Sequence, residues 1–191
     1  MHVRTAIEAR RAYRALSSKP IDTAVLNTLA QAAHLSPSSL NSQPWRIVTV
    51  VDETKLEALK TTLSGGNYWA KKAPAIAAFV TNADWGLRLG DRDFVFFELG
   101  MAAMAYQLQA VEEGLYVHPI AGFNADEAKK ILNIPEKNTI EILMVLGYPG
   151  DPSALNEKHQ ESEHSERNRK PLAEVASFDS WNDELIPPAK A

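Results

Sequence analysis

Two arginines near the start of the chain have the type and spacing of an anion-binding pair. Arg10 and Arg14 lie four positions apart, so a helix would place them one turn apart on the same face. That face would also carry the apolar Val3 and Ile7. Guanidinium groups on an apolar stripe indicate a buried anion, because they bind phosphate in a bidentate manner. The alternative is a solvated helix face on which the arginines pair with Glu8.

The segment Ser36–Pro44 is dense in hydroxyl and amide groups. It lies directly before a run of β-branched residues, which predicts a strand. Pro37 and Pro44 would stiffen it, and polar loops at strand edges commonly bind ligands. On composition alone, however, an ordinary helix-to-strand connection is the stronger interpretation.

Two further segments carry weaker signals. In His118–Phe123, a proline, a glycine and small neighbours would let a backbone N–H approach a flat ligand closely. A tight turn explains the same residues, and His118 beside an apolar run is typical of a packed histidine. The basic cluster Arg167–Lys170, late in a polar tail, would usually be a solvated charge run. Neither segment predicts a site by itself.

Composition limits the chemistry that the chain can perform. A net charge of −4 argues against non-specific nucleic-acid binding, which normally needs a basic face. The chain has 0 cysteines, which excludes disulfides, thiolate metal sites, iron–sulfur clusters and a cysteine nucleophile. Walker, Rossmann, HExxH and GxSxG motifs are also missing, so we predict no metal site and no nucleophilic side chain. Redox chemistry would therefore need an organic cofactor.

The elements that must position these residues alternate between helices and strands. Asp22 and Asn124 have the residue types that begin helices, and Gly114 that of a helix end. We expect helices at residues 3–15, from Asp22 to about residue 33, at 53–63, at 91–113 and from Asn124 to about residue 132. We expect strands at residues 46–51, 75–81 and 140–146.

The longest expected helix and the tail both raise the question of a second subunit. Residues 91–113 are apolar nearly all round, which predicts burial, either centrally or in a subunit interface. From Asp151 the chain is polar and irregular, so we expect it to be disordered or to lie on another subunit. The segment 169–175, together with Phe178 and Trp181, favours docking of the tail over disorder. The apolar runs 73–80 and 140–146 are too short to span a bilayer, and the N-terminus lacks a signal core, which favours a cytoplasmic location.

Five segments, taken together and in this order, resemble the nitroreductase family. They span nearly the whole chain, and the second is close to the family's most specific motif. The segments are Arg10-Arg11-Ala12-Tyr13-Arg14-Ala15-Leu16 with Lys19-Pro20-Ile21, then Ser36-Pro37-Ser38-Ser39-Leu40-Asn41-Ser42-Gln43-Pro44-Trp45, Pro119-Ile120-Ala121-Gly122-Phe123, Gly147-Tyr148-Pro149 and Arg169-Lys170-Pro171-Leu172.

The resemblance implies a fold and an assembly. The fold would be α+β, a mixed and mostly antiparallel sheet flanked by helices, with a long helix at the core of a homodimer. Residues 1–191 would form one domain, of which residues 151–191 are an extended C-terminal arm that embraces the partner subunit. The implied partners are a second copy of the chain and a small oxidised acceptor, with neither nucleic acid nor membrane.

The resemblance also implies a bound FMN and the residues that hold it. Arg10 and Arg14 would contact the FMN phosphate, ribityl chain or pyrimidine edge, and Arg11 would also bind the cofactor. Arg167 and Arg169 would complete the phosphate site. The flavin of the other subunit would be contacted by Pro37, Ser38, Ser39 and Asn41. Ala121 would present its N–H to flavin N5, beside a wall formed by Pro119, Ile120 and Gly122. Asn67 would touch the ring edge, and Lys71 would be a nearby cation. Ala12 stands where the family often has serine, so one hydroxyl contact to FMN is lost.

The implied activity is transfer of hydride from NADH or NADPH, through flavin N5, to nitroaromatics, quinones or similar small acceptors. The resemblance names no catalytic acid or base in this chain. Three alternatives remain open at this stage. One is the same fold with other flavin chemistry, such as reductive dehalogenation or enone reduction. Another is a flavin- or anion-binding dimer without turnover, and the third is a purely structural helical dimer whose arginines are surface charges.

Overall fold

The computed structural model describes residues 2–185, which form a four-stranded antiparallel sheet with helices on both faces. The sheet order is β1-β2-β6-β5, and a separate two-stranded hairpin pairs β3 with β4. The strands are β1 Arg46–Val50, β2 Ala75–Thr81, β3 Arg88–Leu89, β4 Arg92–Asp93, β5 Tyr116–Ile120 and β6 Thr139–Gly147. The helices are α1 Val3–Ala9, α2 Thr23–His34, α3 Glu53–Thr61, α4 Phe94–Glu112, α5 Ala125–Leu132 and α6 Glu157–His164. The expected α+β class is confirmed.

Strand β2 is the centre of the core because both of its faces are buried. Ala75, Ala77 and Phe79 face one apolar cluster, which α2 and α4 cover. Ile76, Ala78 and Val80 alternate with them and face a second cluster, which α3 and α5 cover. A strand buried on both faces reads as a continuous apolar run, which explains why the bounds expected for β2 agree with the structure.

Two helices begin where their capping side chains predict. The Asp22 carboxylate accepts a hydrogen bond from Ala24 N at the start of α2, and Asn124 Oδ1 accepts one from Glu127 N at the start of α5. Both side chains satisfy a backbone N–H that the helix cannot. The long α4 ends before Gly114, whose φ of 72° lies in the left-handed region.

The first helix is shorter than the expected span of residues 3–15. It ends at Ala9, and Arg10 is extended, with φ −64° and ψ 118°. The Arg167 guanidinium, from the far end of the chain, donates to the carbonyls of Ile7, Glu8 and Arg10. These carbonyls therefore bind a side chain instead of continuing the helix, and the prediction that Arg10 and Arg14 share one helix face is wrong.

Helix α4 begins three residues after the expected start because a hairpin precedes it. Strands β3 and β4 turn at Gly90, where φ is 63°, and the Asp93 carboxylate then caps the helix by accepting from Val95 N. By length and composition α4 could cross a membrane. It nevertheless packs on α2 and β2, and Leu99 and Tyr106 are fully buried, as in the core helix of a globular domain.

Two segments expected to be irregular contain regular structure. Strand β5 was not predicted, and Pro119 is tolerated within it because β5 lies at the edge of the sheet. The tail contains α6, and the residues after it pack on the same chain near Arg11. Residues 186–191 of the expected arm lie outside the described residues. The large apolar side chains of the later tail are exposed, namely Leu172, Val175, Phe178 and Trp181.

Candidate functional site

The five predicted arginines meet in one cavity of about 360 Å³. It lies between the extended segment that follows α1 and the segment that follows α6. The lining residues include Arg10, Arg11, Ala12, Tyr13, Arg14, Ser162, Ser165, Glu166, Arg167, Asn168 and Arg169. Residues more than 150 positions apart in sequence thus form one concave, strongly basic surface. At Ala12 only a methyl group faces the cavity, where a serine would offer a hydroxyl.

The arginines of this cavity form no direct ion pair in the described part of the chain, although the carboxyl group of Glu166 also belongs to a lining residue. None of the carboxylates whose side chains the structure describes forms an ion pair with Arg10, Arg11, Arg14, Arg167 or Arg169. Burial, together with the guanidinium groups of Arg167 and Arg169, lowers the pKa of Arg10. Like charges held together without a direct ion pair favour binding of an anion.

Hydrogen bonds to the backbone fix both sides of the cavity. Arg11 donates to the carbonyl of Ser165, and Arg167 donates to the Glu8 carbonyl over 2.9 Å. From α6, the Glu163 carboxylate accepts from Arg14 N at 2.9 Å and from Ala15 N at 3.2 Å. Glu163 thus binds backbone amides and forms no ion pair with a guanidinium group, whereas Arg11 and Arg167 donate to backbone carbonyls.

Asn67 and Gly122 are in contact and form a second part of the candidate site, apart from the arginines. The Gly122 carbonyl accepts from Ser64 N at 2.9 Å and from Asn67 Nδ2 at 3.0 Å. A Cβ at position 122 would collide with the Ser64 hydroxyl and displace it from its contact with the Gly122 carbonyl. The other Asn67 amide hydrogen points to Ser64 Oγ, so Oδ1 is the acceptor that the side chain can offer to a ligand. Ala121, beside this contact, is exposed.

Two further cavities share lining residues with Asn67 on one side and with the arginines on the other. Asn67 and Lys71 line a cavity of about 460 Å³, and Lys71 also lines one of about 160 Å³ together with Arg14. Arg14 belongs to the basic cavity as well. The expected phosphate end and the expected ring end of the site are therefore adjacent within one subunit.

The polar loop, residues 36–44, lines none of the three cavities that contain the arginines, Asn67 and Lys71. Residues Ser38, Ser39 and Asn41 share no hydrogen bond with the arginine cavity or with Asn67 in the described chain. The loop is mostly half-buried, but Leu40 at its tip is 92% exposed. A single chain brings together the other predicted site residues but not this loop.

Sequence reasoning missed a tyrosine–histidine pair beside the site. The Tyr68 hydroxyl accepts from Asn156 N at 2.8 Å and shares a hydrogen bond of 3.1 Å with His159 Nδ1. These residues are 91 positions apart, so no local spacing could have revealed the pair. Burial, aided by the charge of Arg14, lowers the pKa of His159. The contact holds α6 against the segment that carries Asn67.

His118 is a packed histidine, as its surroundings in sequence suggested. Its Nδ1 lies 3.1 Å from the Tyr13 carbonyl, and its ring packs on Trp69 with centroids 4.5 Å apart. Burial lowers the pKa of His118 to about 4. The neutral ring therefore packs against residues 10–14, which we call the arginine segment.

Comparison with known proteins finds consistent similarity. The model of the nitroreductase family matches residues 7–66 and 60–148. A Thermus thermophilus protein named NADH dehydrogenase is 26% identical over 182 residues, which cover 79% of this chain and 88% of that protein. A Bacillus subtilis FMN reductase using NAD(P)H is 26% identical over 161 residues, which cover 75% of this chain and 64% of that protein.

Among solved structures, an oxidoreductase described as containing FMN superposes with a TM-score of 0.84. It is 27% identical, and the match covers 95% of this chain and 94% of that one. A nitroreductase family protein from Clostridium novyi NT has a TM-score of 0.73 at 22% identity, covering 79% and 87% of the two chains. The second likeness concerns the fold alone.

Proposed function

The chain belongs to the nitroreductase family, and we propose that it is an FMN-dependent oxidoreductase. It takes hydride from NADH or NADPH and passes it to small acceptors such as nitroaromatics or quinones. Relatives named FMN reductase and NADH dehydrogenase support the oxidoreductase class, and the structural neighbour that contains FMN supports the cofactor. The acceptor class is the finer part of the proposal.

The observation that carries this proposal is a cavity with five arginines and no described ion pair among its charges. The five guanidinium groups belong to residues that line about 360 Å³, and none pairs with a described carboxylate. The FMN phosphate is a dianion whose oxygens accept hydrogen bonds from guanidinium forks. Arg10, Arg11, Arg14, Arg167 and Arg169 would therefore hold the phosphate end of the cofactor.

The adjacent wall fits a flat ring. The lack of a side chain at Gly122 and the free Asn67 Oδ1 provide a close surface and a hydrogen-bond acceptor. Pro119, Ile120 and Ala121 would complete this wall, and Lys71 would place a positive charge near the pyrimidine edge. Bound FMN supplies hydride acceptance and donation, while the protein supplies binding, orientation and electrostatics. We assign no residue as a general acid or base.

The separate position of the polar loop supports a dimeric site. Pro37, Ser38, Ser39 and Asn41 would reach the flavin of a second copy, since they do not approach the arginine cavity of their own chain. Residues 1–191 would act as one domain in the cytoplasm. The exposed apolar side chains from Leu172 to Trp181 would belong to an arm, formed by residues 151–191, that contacts the second copy.

A spectroscopic experiment tests the proposal directly. The protein is incubated with FMN, freed of unbound flavin, and mixed anaerobically with NADH or NADPH while the absorption near the flavin maximum is followed. We expect retained flavin that loses its colour when the nicotinamide is added. Retained flavin that is not reduced would favour a binding protein without turnover. Failure to retain FMN would overturn the proposal.

A further inference from the structure

A single buried carboxylate interrupts the apolar helix α4. Glu98 is 1% exposed, and its neighbours along the helix include Val95 and Leu99, which are fully buried. No cation forms an ion pair with Glu98 within the described part of the chain. Burying an unpaired charge is expensive unless strong hydrogen bonds compensate it. The partners of Glu98 therefore indicate what the residue does.

Both partners of Glu98 lie in the polar loop, here defined as residues 36–44. Oε1 accepts from Ser39 N over 2.6 Å, and Oε2 lies 3.5 Å from Ser42 Oγ. The other described hydrogen bonds of residues 38–42 stay inside the loop, for example Gln43 N to Ser38 Oγ at 2.9 Å. Glu98 is thus the hydrogen-bonding link between the tip of the loop and the body of the protein.

The loop needs such a link because its backbone is strained. Leu40, Asn41 and Gln43 have φ values of 53°, 56° and 48°. This left-handed region is unfavourable for residues with a Cβ, above all for a bulky one such as leucine. Leu40 is 92% exposed and gains no packing that would offset the strain. A charge-assisted hydrogen bond at the neighbouring residue supplies a compensating interaction.

We propose that Glu98 is a positioning residue for the flavin site. Its carboxylate holds the polar loop in the left-handed conformation in which Ser38, Ser39 and Asn41 reach the flavin of the second copy. The inference rests on the proposed function, because it concerns the loop's role towards FMN. Glu98 itself does not touch the cofactor and acts only through Ser39 and Ser42.

Three variants separate this role from general stabilisation. Glu98→Leu fills the space but leaves the Ser39 N–H without an acceptor. Glu98→Gln keeps an acceptor at reduced strength and serves as the conservative rescue. Tyr106→Phe is the matched control, since it removes a buried hydroxyl from the same helix and no described hydrogen bond joins Tyr106 to the polar loop. Each apo protein is examined by thermal unfolding and by hydrogen exchange at the Ser39 amide, and FMN affinity is then measured by fluorescence quenching.

We expect Glu98→Leu to accelerate Ser39 exchange and to raise the Kd for FMN, each about tenfold, as loss of a charge-assisted hydrogen bond predicts. Glu98→Gln should fall between Glu98→Leu and wild type, and Tyr106→Phe should match wild type in both readouts. If Glu98→Leu does not fold, Glu98→Gln decides by the same two readouts.

Lower thermal stability with an unchanged Kd and unchanged Ser39 exchange would overturn the inference and leave the proposed function intact. A wild-type protein that binds no FMN would instead overturn the proposed function, and the inference would fall with it.

Discussion

Arg10 illustrates how one side chain can oppose folding and support ligand binding. Burial and the charges of Arg167 and Arg169 make its positive charge unfavourable in the protein without ligand. A bound phosphate would reverse this balance, because the same charge then gains a charge-assisted hydrogen bond. The two effects have opposite signs, so one substitution separates them.

Replacing Arg10 by methionine keeps the aliphatic stem and removes the charge. We expect Arg10→Met to leave the apo protein's melting temperature unchanged or higher, and to weaken FMN binding by about 1.5–3 kcal/mol, the worth of a charge-assisted hydrogen bond. Calorimetric titration with FMN and thermal unfolding without it measure the two quantities. Arg4→Met is the control, since Arg4 is exposed, pairs with Glu8 and does not line the cavity. Unchanged FMN affinity in Arg10→Met would remove Arg10 from the site.

His118 predicts how stability depends on pH. Its pKa is lowered by burial from 6.5 to about 4, so the unfolded chain binds a proton at a higher pH than the folded one. The stabilisation from neutral His118 is therefore complete above pH 6.5 and is lost as the pH falls towards 4. A shift of this size corresponds to about 3 kcal/mol in the free energy of unfolding.

We expect His118→Gln, which keeps a donor for the Tyr13 carbonyl, to lose less stability than wild type between pH 7 and pH 4.5. Urea unfolding at both pH values gives the comparison. His34→Gln changes an exposed histidine and should keep the wild-type pH dependence. Equal losses in His118→Gln and wild type would show that His118 does not titrate in this window.

At the scale of elements, α6 is unusual because it has no buried residue. Its described attachments are polar: Glu163 binds two backbone amides of the arginine segment, and His159 binds the Tyr68 hydroxyl. The helix leads directly to Arg167 and Arg169. Its attachment therefore determines where those two charges lie.

We expect Glu163→Ala to release α6 and to weaken FMN binding, although Glu163 is an anion and would not itself bind a phosphate. The loss should be about 1–3 kcal/mol, because two backbone amides lose their acceptor. FMN titration and limited proteolysis across residues 157–169 report affinity and release. Glu161→Ala on the same helix is exposed and is the matched control. Tighter FMN binding in Glu163→Ala would mean that the carboxylate acts only by opposing the phosphate charge.

Elements whose signals are local could be predicted from the sequence, and those fixed by distant contacts could not. Asp22 and Asn124 begin their helices with their own side chains, and β2 is apolar throughout. The end of α1 depends instead on Arg167, a residue 157 positions from Arg10. Helix α6 has no apolar periodicity that would reveal it.

The same distinction between local signals and distant contacts applies to the residues of the candidate site. The arginines could be named from their type and motif, although the helix assumed for Arg10 and Arg14 was wrong. Glu98 could not be named as a partner of Ser39, because 59 residues separate the two. The sequence nevertheless contains a signal for Glu98, since it is an acidic residue surrounded by apolar ones in the first half of α4. It contains none for Tyr68 and His159.

At the scale of the whole molecule, the polar loop and the basic cavity share no described hydrogen bond and no lining residue within one chain. One chain presents both parts of the proposed site but does not bring them together. If each flavin site takes arginines from one subunit and the loop from the other, damage to the two parts should complement in a mixed dimer.

The prediction uses one chain carrying Arg10→Ala with Arg169→Ala and another, differently tagged, carrying Ser39→Ala with Asn41→Ala. We expect the purified mixed dimer to bind about one FMN per dimer with wild-type affinity, since one site is intact and the other carries both lesions. Titration of the two parent homodimers, each weak at both sites, is the control. Two equally weak sites in the mixed dimer would place the loop and the arginines in the site of the same chain.

The contact between Arg11 and Ser165 also determines when the basic cavity can form during synthesis of the chain. During synthesis the arginines of the first segment leave the ribosome long before Arg167 and Arg169 exist, although the cavity needs both groups. A nascent chain can thus build its sheet and helices but has no complete anion site until its last segment docks. Because such long-range closure comes late in folding, the cofactor cannot act as a template for the early steps. It can only select and stabilise a protein that is already folded.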